Sequence, residues 1–486
     1  MVLVIDRRRD ITLEAARRAG WHAESVRLGE QAVQAMTDAR ARFMGILDND
    51  PEVTIYGVTT GMGQMAKRRL TPEQRKLQAK FRPTGAAASW GDPLPERVVR
   101  LIVLARLANF VEGHAAISPH VAQAVAAMLD GRALPRVPAQ GQGGAGEILA
   151  LSHLFDGVAQ TAEPEEKDML SLINGSPCAS ALVADAALAA GNRLQVAAEV
   201  LALAAEGFNA PLGHFAEALE SYWNNPHDAW ALRTVRTLID GGHGGDRRPY
   251  QAPVSFRIMP RLLGQAHRAG AMAEEIASQS LAAATDNPVL LDGDEAHPFG
   301  EFVSTGGYHN AQAAMAMDML AAAYANLCVI AERNSAKLLD GNVSLLPDQL
   351  LDDDDGEGAR RGYMGCLPMA ATGYEEEARL YAQPTLLPGS ESGGFGQNDV
   401  ASPVFLAWTK QARAGRCLDL ALATLAPIAV RALDVTARPA PMPLRAMTGD
   451  VRAVFGDLGA REPMGPSAHA LADRLEARVF ERGGKT

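Results

Sequence analysis

The sequence predicts an all-α fold, a central bundle of long helices attached to a loop-rich N-terminal region, and three observations carry that prediction. Hydrophobic residues make up 47% of the 486-residue chain while aromatics are only 5%, a balance that suits helices packed through alanine and leucine better than sheets built on aromatic side chains. Long alanine- and leucine-rich stretches recur near 179–206, 262–284, 309–339 and 403–433, each long enough for a helix of about 40 Å at ~1.5 Å per residue. Between residues 50 and 178, by contrast, helical patterning is repeatedly broken by glycine-rich segments. The change in character at 179 divides the chain into an N-terminal region, 1–178, and a helical bundle with a C-terminal helical region, 179–486.

Taken in order, residues 10–50 read as helix, with Leu13, Ala16, Ala32, Val33, Met36, Phe43 and Leu47 spaced to form apolar faces. The periodicity stops at Thr54-Ile55-Tyr56-Gly57-Val58-Thr59-Thr60-Gly61-Met62-Gly63, a loop that carries Tyr56 at its start and lacks the Lys-Ser/Thr ending of a phosphate loop. Residues 82–93 form a second loop, and Val98 to Ala127 returns to helix. Gly141-Gln142-Gly143-Gly144-Ala145-Gly146-Glu147 follows, a turn dense in glycine that runs into the apolar Ile148-Leu149-Ala150-Leu151. Such backbone freedom is costly to order, so something must approach it closely. Glu147 falls where that helix begins, and a carboxylate is favourable there as a cap. Leu170 to Ile173 ends on Asn174-Gly175-Ser176-Pro177, where Asn174 is either a capping side chain or a ligand contact.

Polar connections separate the bundle helices. Gln251-Ala252-Pro253-Val254-Ser255-Phe256-Arg257 places an arginine in a nearly uncharged turn, and Ser304-Thr305-Gly306-Gly307-Tyr308-His309-Asn310-Ala311-Gln312 gathers polar and aromatic groups at a helix start. Gly393-Gly394-Phe395-Gly396-Gln397-Asn398-Asp399 is a third glycine-rich helix entrance, of the kind that collects anions. The acidic run at 352–357 reads as a solvated loop.

Charge and cysteine usage narrow the function classes. A net charge of -11 and a pI near 5.5 argue against a general nucleic-acid binder, which needs a basic surface. Cys178, Cys328, Cys366 and Cys417 have no metal-type spacing and read as reduced thiols of a cytosolic protein. No metal site is expected. Val2 to Ile5 is too short for a signal-peptide core, and the later apolar stretches are broken by charge, so no membrane span is expected.

Laid side by side, these segments resemble the histidine and aromatic amino acid ammonia-lyase family over nearly the whole chain. Tyr56 to Gly63 is similar to the family's Tyr-Gly-Val-Asn-Thr-Gly-Phe-Gly, and Asn174-Gly175-Ser176 to its Asn-Gly-Thr. Gln251 to Arg257 resembles Gln-Asp-Pro-Tyr-Ser-Leu-Arg, and Ser304 to Gln312 resembles Ser-Gly-Gly-Asn-Phe-His-Gly-Gln. The resemblance implies an ammonia-lyase-like helical fold, a small carboxylate-bearing substrate and a homotetramer whose sites are built from several chains. It assigns Tyr56 as base, Arg257 to the substrate carboxylate, and Asn174, Gln251, Tyr308, Gln312 and Asn398 to the substrate-binding wall.

The family's electrophile, a methylidene-imidazolone, arises from an Ala-Ser-Gly triplet. Here Gly146-Glu147-Ile148-Leu149-Ala150-Leu151-Ser152-His153 aligns with Gly-Asp-Leu-Ala-Pro-Leu-Ala-His, which leaves Ala145-Gly146 without the serine; an ungapped alternative sets Gly146 in its place. On either alignment no cofactor is expected. The family's Ser-His selectivity pair is replaced near Thr84-Gly85, its second site tyrosine by Val254, and the glutamate of its Gln-Glu-Asp motif by Asn398. Elimination then requires a substrate with its own leaving group, as in ergothionase, although the loss of that glutamate counts against a close copy of it. The leading expectation is a ring-free carbon-nitrogen lyase using Tyr56. The alternatives are a cyclase, isomerase or hydrolase that also uses Glu147, and a non-catalytic ligand-binding homologue.

Overall fold

A computed structural model describes residues 2–242, 247–248, 251–351, 363–386, 399–456 and 463–482. Among these the chain is mainly helical, and its strands form two two-stranded sheets. In chain order the principal elements are β1 (Val2–Ile5), β2 (Ser25–Leu28), α1 (Glu30–Asn49), α2 (Pro72–Ala79), α3 (Glu96–Ala108), α4 (Pro119–Ala127), α5 (Ile148–Thr161), α6 (Asp168–Ile173) and α7 (Pro177–Gly207). They continue with α8 (Pro226–Ile239), α9 (Met259–Leu281), β3 (Val289–Leu290), β4 (Phe302–Val303), α10 (Ala311–Leu339), α11 (Leu367–Tyr381), α12 (Val404–Asp434), α13 (Arg445–Phe455) and α14 (Met464–Arg482). The four long stretches read from composition are α7, α9, α10 and α12, with bounds within a few residues of those expected.

The described chain divides into two compact units. The first comprises Met1–Leu188, Ala273–Met317 and Thr385–Thr409. Its centre is α3, in which every residue from Val98 to Ala108 is buried. Two arginines inside that run must therefore find partners without water. Arg100 does so by donating to the carbonyls of Ala19, Glu24 and Leu129. On the helix between Arg17 and Trp21, Gly20 permits close packing, since a Cβ there would lie 2.6 Å from Leu101. Asp185 of α7 gathers the indole N–H groups of Trp21 and Trp408 and the Arg97 guanidinium, at 3.1, 3.0 and 2.8 Å.

The single helical segment expected over residues 10–50 is broken. β1 pairs in parallel with β2, Val2 opposite Ser25 and Ile5 opposite Leu28, and α1 begins only at Glu30. Burial of Leu3, Ile5 and Val26 rewards this pairing, a long-range contact that no local periodicity records. The stretch from Val98 to Ala127 likewise divides into α3 and α4.

The second unit comprises Ala189–Met272, Asp318–Pro384 and Lys410–Thr486. Its helices approach through small residues: a Cβ on Gly207 would lie 3.0 Å from the Ala429 carbonyl, and one on Gly415 would lie 2.6 Å from the Arg193 guanidinium carbon. Arg193 grips Asp419 through Nε and Nη2 at 2.9–3.0 Å. At the C-terminal end of α7, Arg438 donates to the carbonyls of Glu206 and Gly207, neutralising the partial negative charge there.

Among the described residues two helical stretches are long and apolar enough to cross a membrane, Asp168–Gly207, which runs through α6 and α7, and Ala311–Leu339, contrary to the expectation that charge breaks every such stretch. Their most apolar windows are, however, 89% and 67% buried inside the protein, as core helices are. The four cysteines are free thiols, Cys178, Cys328 and Cys417 buried and Cys366 exposed.

Candidate active site

Tyr56 sits on the loop after α1, and the loop's shape follows from what surrounds that residue. Ile55 and Val58 are buried with Phe43, Leu47 and Leu290 in one apolar cluster, so the backbone on both sides of Tyr56 is anchored. Thr59 Oγ1 donates to the Val53 carbonyl and accepts from Ile55 N–H at 2.7 Å, while Thr60 Oγ1 accepts from Gly57 N–H. Gly57 has φ +70° and a Cβ there would lie 2.7 Å from Leu170, so glycine is required. The half-buried Tyr56 ring is thereby held with its oxygen accepting Gly63 N–H at 2.9 Å.

That ring borders a cavity of about 370 Å³, together with Gly146, Asn174, Asn287, Thr305 and Tyr308. All of these residues belong to the first unit. The walls are locked by a polar chain. Asn174, at the C-terminal end of α6, donates through Nδ2 to the Asn287 carbonyl at 2.7 Å, and its Oδ1 accepts Gly175 N–H. Asn287 Oδ1 in turn accepts from Ser304 Oγ and Thr305 N–H at 3.1 and 2.8 Å. Asn174 thus stands at the C-cap of α6 and borders the cavity, and its side chain is bonded to Asn287 and Gly175 and makes no bond to the helix.

Behind Asn174 lies the guanidinium of Arg106, fully buried, whose Nη1 donates to the Asn174 carbonyl. Its Nε and Nη2 have no hydrogen-bond partner, and burial pulls its pKa down against the opposing charges of Asp286 and Glu147. A buried ion pair reinforces the same region: Lys167 Nζ contacts Asp286 Oδ2 at 2.8 Å with neither side chain exposed.

Glu147 takes a different position from the one expected. It stands at the N-cap of α5 in the left-handed region, φ +58°, but its side chain makes no bond to that helix. Its two oxygens instead accept the N–H groups of Cys178 and Ala179 at 2.5 and 2.7 Å, in the first turn of α7. The carboxylate caps the longer, neighbouring helix. The residue keeps some exposed surface, but its carboxyl group is enclosed, and that burial raises its pKa to about 7 against the pull of the Ala179 and Cys178 donors and of Arg106. Glu147 itself does not border the cavity, although Ala145, Gly146 and Ile148 do. Cys178 beside it is buried, and burial with the neighbouring carboxylate pushes its thiol well above the ordinary value, which leaves it inert as a nucleophile.

Of the eight residues picked from the sequence, the structure brings Tyr56, Asn174 and Tyr308 together. Gln312 is exposed in the first turn of α10 and does not border the cavity. Gln251 and Arg257 are carried by the second unit, where Arg257 Nε donates to the Ala252 carbonyl at 3.0 Å and its charge, after burial, lowers the pKa of His214. Asn398 lies outside the described residues. Sequence reasoning singled out the segment that carries Thr305 and missed Asn287 and Arg106. For Asn287 a signal existed, since Asp286-Asn287-Pro288 directly after a long apolar helix is turn chemistry. Arg106 gives none, because one arginine in an apolar helical run reads as an exposed position.

Comparison with known proteins shows the family of the chain and its fold. The family model described as aromatic amino acid lyase matches residues 11–161 and 156–455. A histidine ammonia-lyase of Streptomyces coelicolor is 31% identical over 97% of this chain and 94% of its own length, and one of Streptomyces griseus is 30% identical over 96% and 93%. Among solved structures, a tyrosine aminomutase from Streptomyces globisporus superposes with a TM-score of 0.84 at 24% identity over 97% of both chains. Ergothionase from Treponema denticola gives 0.87 at 18% identity, covering 99% of this chain and all of that one. The expected ammonia-lyase-like helical fold is the fold observed, and the chain belongs to the aromatic amino acid lyase family.

Proposed function

We propose that this member is a lyase that works without the methylidene-imidazolone ring, eliminating a leaving group already carried by a carboxylate-bearing, amino-acid-derived substrate. The observation that carries the reading is Gly146. It has no side chain to dehydrate, its φ is +72°, and a Cβ built there would lie 2.9 Å from Asn174 Oδ1. A serine at this place, the one the ungapped alignment gives to the ring's methylidene, meets both a strained backbone and an occupied space. The next residue, Glu147, has its carboxylate tied to α7. The residues present do not fit the ring.

Tyr56 is assigned as the base. A phenolate removes a proton from Cβ of the substrate, the electron pair forms the Cα–Cβ double bond, and the bond from Cα to the leaving group breaks with its electrons. A quaternary ammonium departs as a neutral amine, so it needs no electrophile to carry it away. The Gly63 N–H donates to the phenol oxygen and holds it at the edge of the cavity. Glu147 is assigned a structural role, since both of its oxygens are occupied by helix donors. The family resemblance further assigns Arg257 to the substrate carboxylate, Gln251, Tyr308, Gln312 and Asn398 to substrate binding, and a homotetramer to the assembly.

The test is metabolite profiling with purified protein, watching for a released amine and a product with a new double bond, beside the Tyr56→Phe variant. Tyr56→Phe is expected to abolish turnover and to retain ligand binding; unchanged turnover removes the tyrosine base. The intact mass is expected to equal that of the sequence. A mass lighter by two waters removes the ring-free reading.

A further inference from the structure

A second cavity, of about 410 Å³, adjoins the one at Tyr56: Met62, Ala86, Leu170 and Ile173 border both. Most of its wall is apolar, and part of that apolar wall faces water, with Leu77 70% and Phe81 73% exposed. Uncovered apolar surface at the rim of a cavity is a sign of an absent occupant.

Four charged residues also border this space: Arg75, Arg82, Glu166 and Lys167. Lys167 is spent on Asp286 and Arg82 on Asp156. Arg75, on α2, has no side-chain hydrogen bond and no ion pair among the described residues, and its Nε is buried without a partner. Glu166 leaves no enclosed, unbonded oxygen, so water can satisfy it. Among the described residues Arg75 is the cation bordering this cavity that has no ion-pair partner, and its guanidinium can take an acceptor.

We infer that the second cavity receives a distal arm of the substrate, an apolar chain that passes the wall shared by Met62, Ala86, Leu170 and Ile173 and ends in a carboxylate paired with Arg75. This rests on the reading of the Tyr56 cavity as the place of reaction, and it narrows the substrate class to molecules with acidic groups at both ends. A guanidinium is suited to that task, since it presents parallel donors to a planar carboxylate.

The experiment is calorimetric titration of the purified full-length protein with straight-chain diacids from adipate to sebacate, each against the monoacid and the ω-amino acid of the same length. One diacid is expected to bind about tenfold or more tightly than its monoacid, as a desolvated charge pair allows. Arg75→Gln is expected to erase that preference and leave the monoacid unchanged, and Ala86→Phe, which fills the shared wall, to erase it as well. Circular dichroism checks that both variants are folded. The inference is overturned if no diacid binds, if monoacid and diacid bind equally at every length, if the ω-amino acid binds best, or if the preference survives Arg75→Gln. Because binding is read without turnover, the two readings fail separately. A diacid preference in a protein that turns over nothing removes the lyase alone, and turnover lost in Tyr56→Phe without a diacid preference removes only the arm.

Discussion

Replacing Glu147 by glutamine is expected to remove a loss of stability that the parent shows between pH 4 and pH 8, leaving the variant more stable at pH 8 and slightly less stable at pH 4. The carboxyl group has an ordinary pKa of 4.5 and is raised by burial to about 7 in the folded chain. Over that interval the folded state holds a proton that the unfolded state has released, so stability is full below 4.5, falls as the pH rises to about 7, and is level above. At ~1.36 kcal/mol for each pH unit the loss is about 3 kcal/mol. Glutamine cannot titrate, so Glu147→Gln removes the decline, while its amide nitrogen cannot accept from an α7 N–H and so costs about 1 kcal/mol at every pH. With an unfolding entropy of roughly 2.1 cal/mol/K per residue for the whole chain, the parent's decline corresponds to about 3 °C in Tm, and the variant shows none. The assay is thermal unfolding of both proteins from pH 4 to pH 8.5. A Glu147→Gln variant less stable than the parent at pH 8 refutes the reasoning; the two α7 donors and Arg106 then outweigh burial, and the anion is the resident form.

Gly146→Ala is expected to cost about 1–2 kcal/mol from the left-handed backbone alone and to weaken carboxylate-ligand binding as Asn174 shifts, measured by denaturation and titration. Lys167→Met leaves Asp286 buried without its partner and is expected to destabilise by about 3–5 kcal/mol. The double variant Lys167→Met/Asp286→Leu is expected to recover most of that loss; equal destabilisation of single and double variants means the pair's electrostatics are not the cause.

What the sequence reveals of this molecule follows from how far apart the interacting residues lie. The long helices are legible because alanine and leucine periodicity is local, and α7, α9, α10 and α12 stand where composition puts them. Tyr56 and Asn174 read from the residues alone only as members of glycine-containing turns, and the expectation that they share one site comes from the family resemblance. The β1–β2 pair escapes notice because four apolar residues gain their structure from a strand more than twenty positions away. Glu147 is the instructive case. Its place at a helix start is correct, but its carboxylate serves residues 178 and 179, about thirty positions on, a choice that only the packed fold records. Lys167 looks like part of a solvated acidic connector and is instead wholly buried on Asp286, because the loop around Asp168 folds inward on N–H groups of Ser118 and Glu165.

The turn at Gly146 and Glu147 has a bearing on which changes the chain tolerates. A serine introduced beside it must displace the Asn174 amide, and any added length between Ala145 and Glu147 must draw the carboxylate off the first turn of α7. Either change alone damages a fitted contact. The turn is thus a mechanical part of α7 as well as a border of the cavity, and a change in its length is felt in the start of that helix before it is felt in any chemistry.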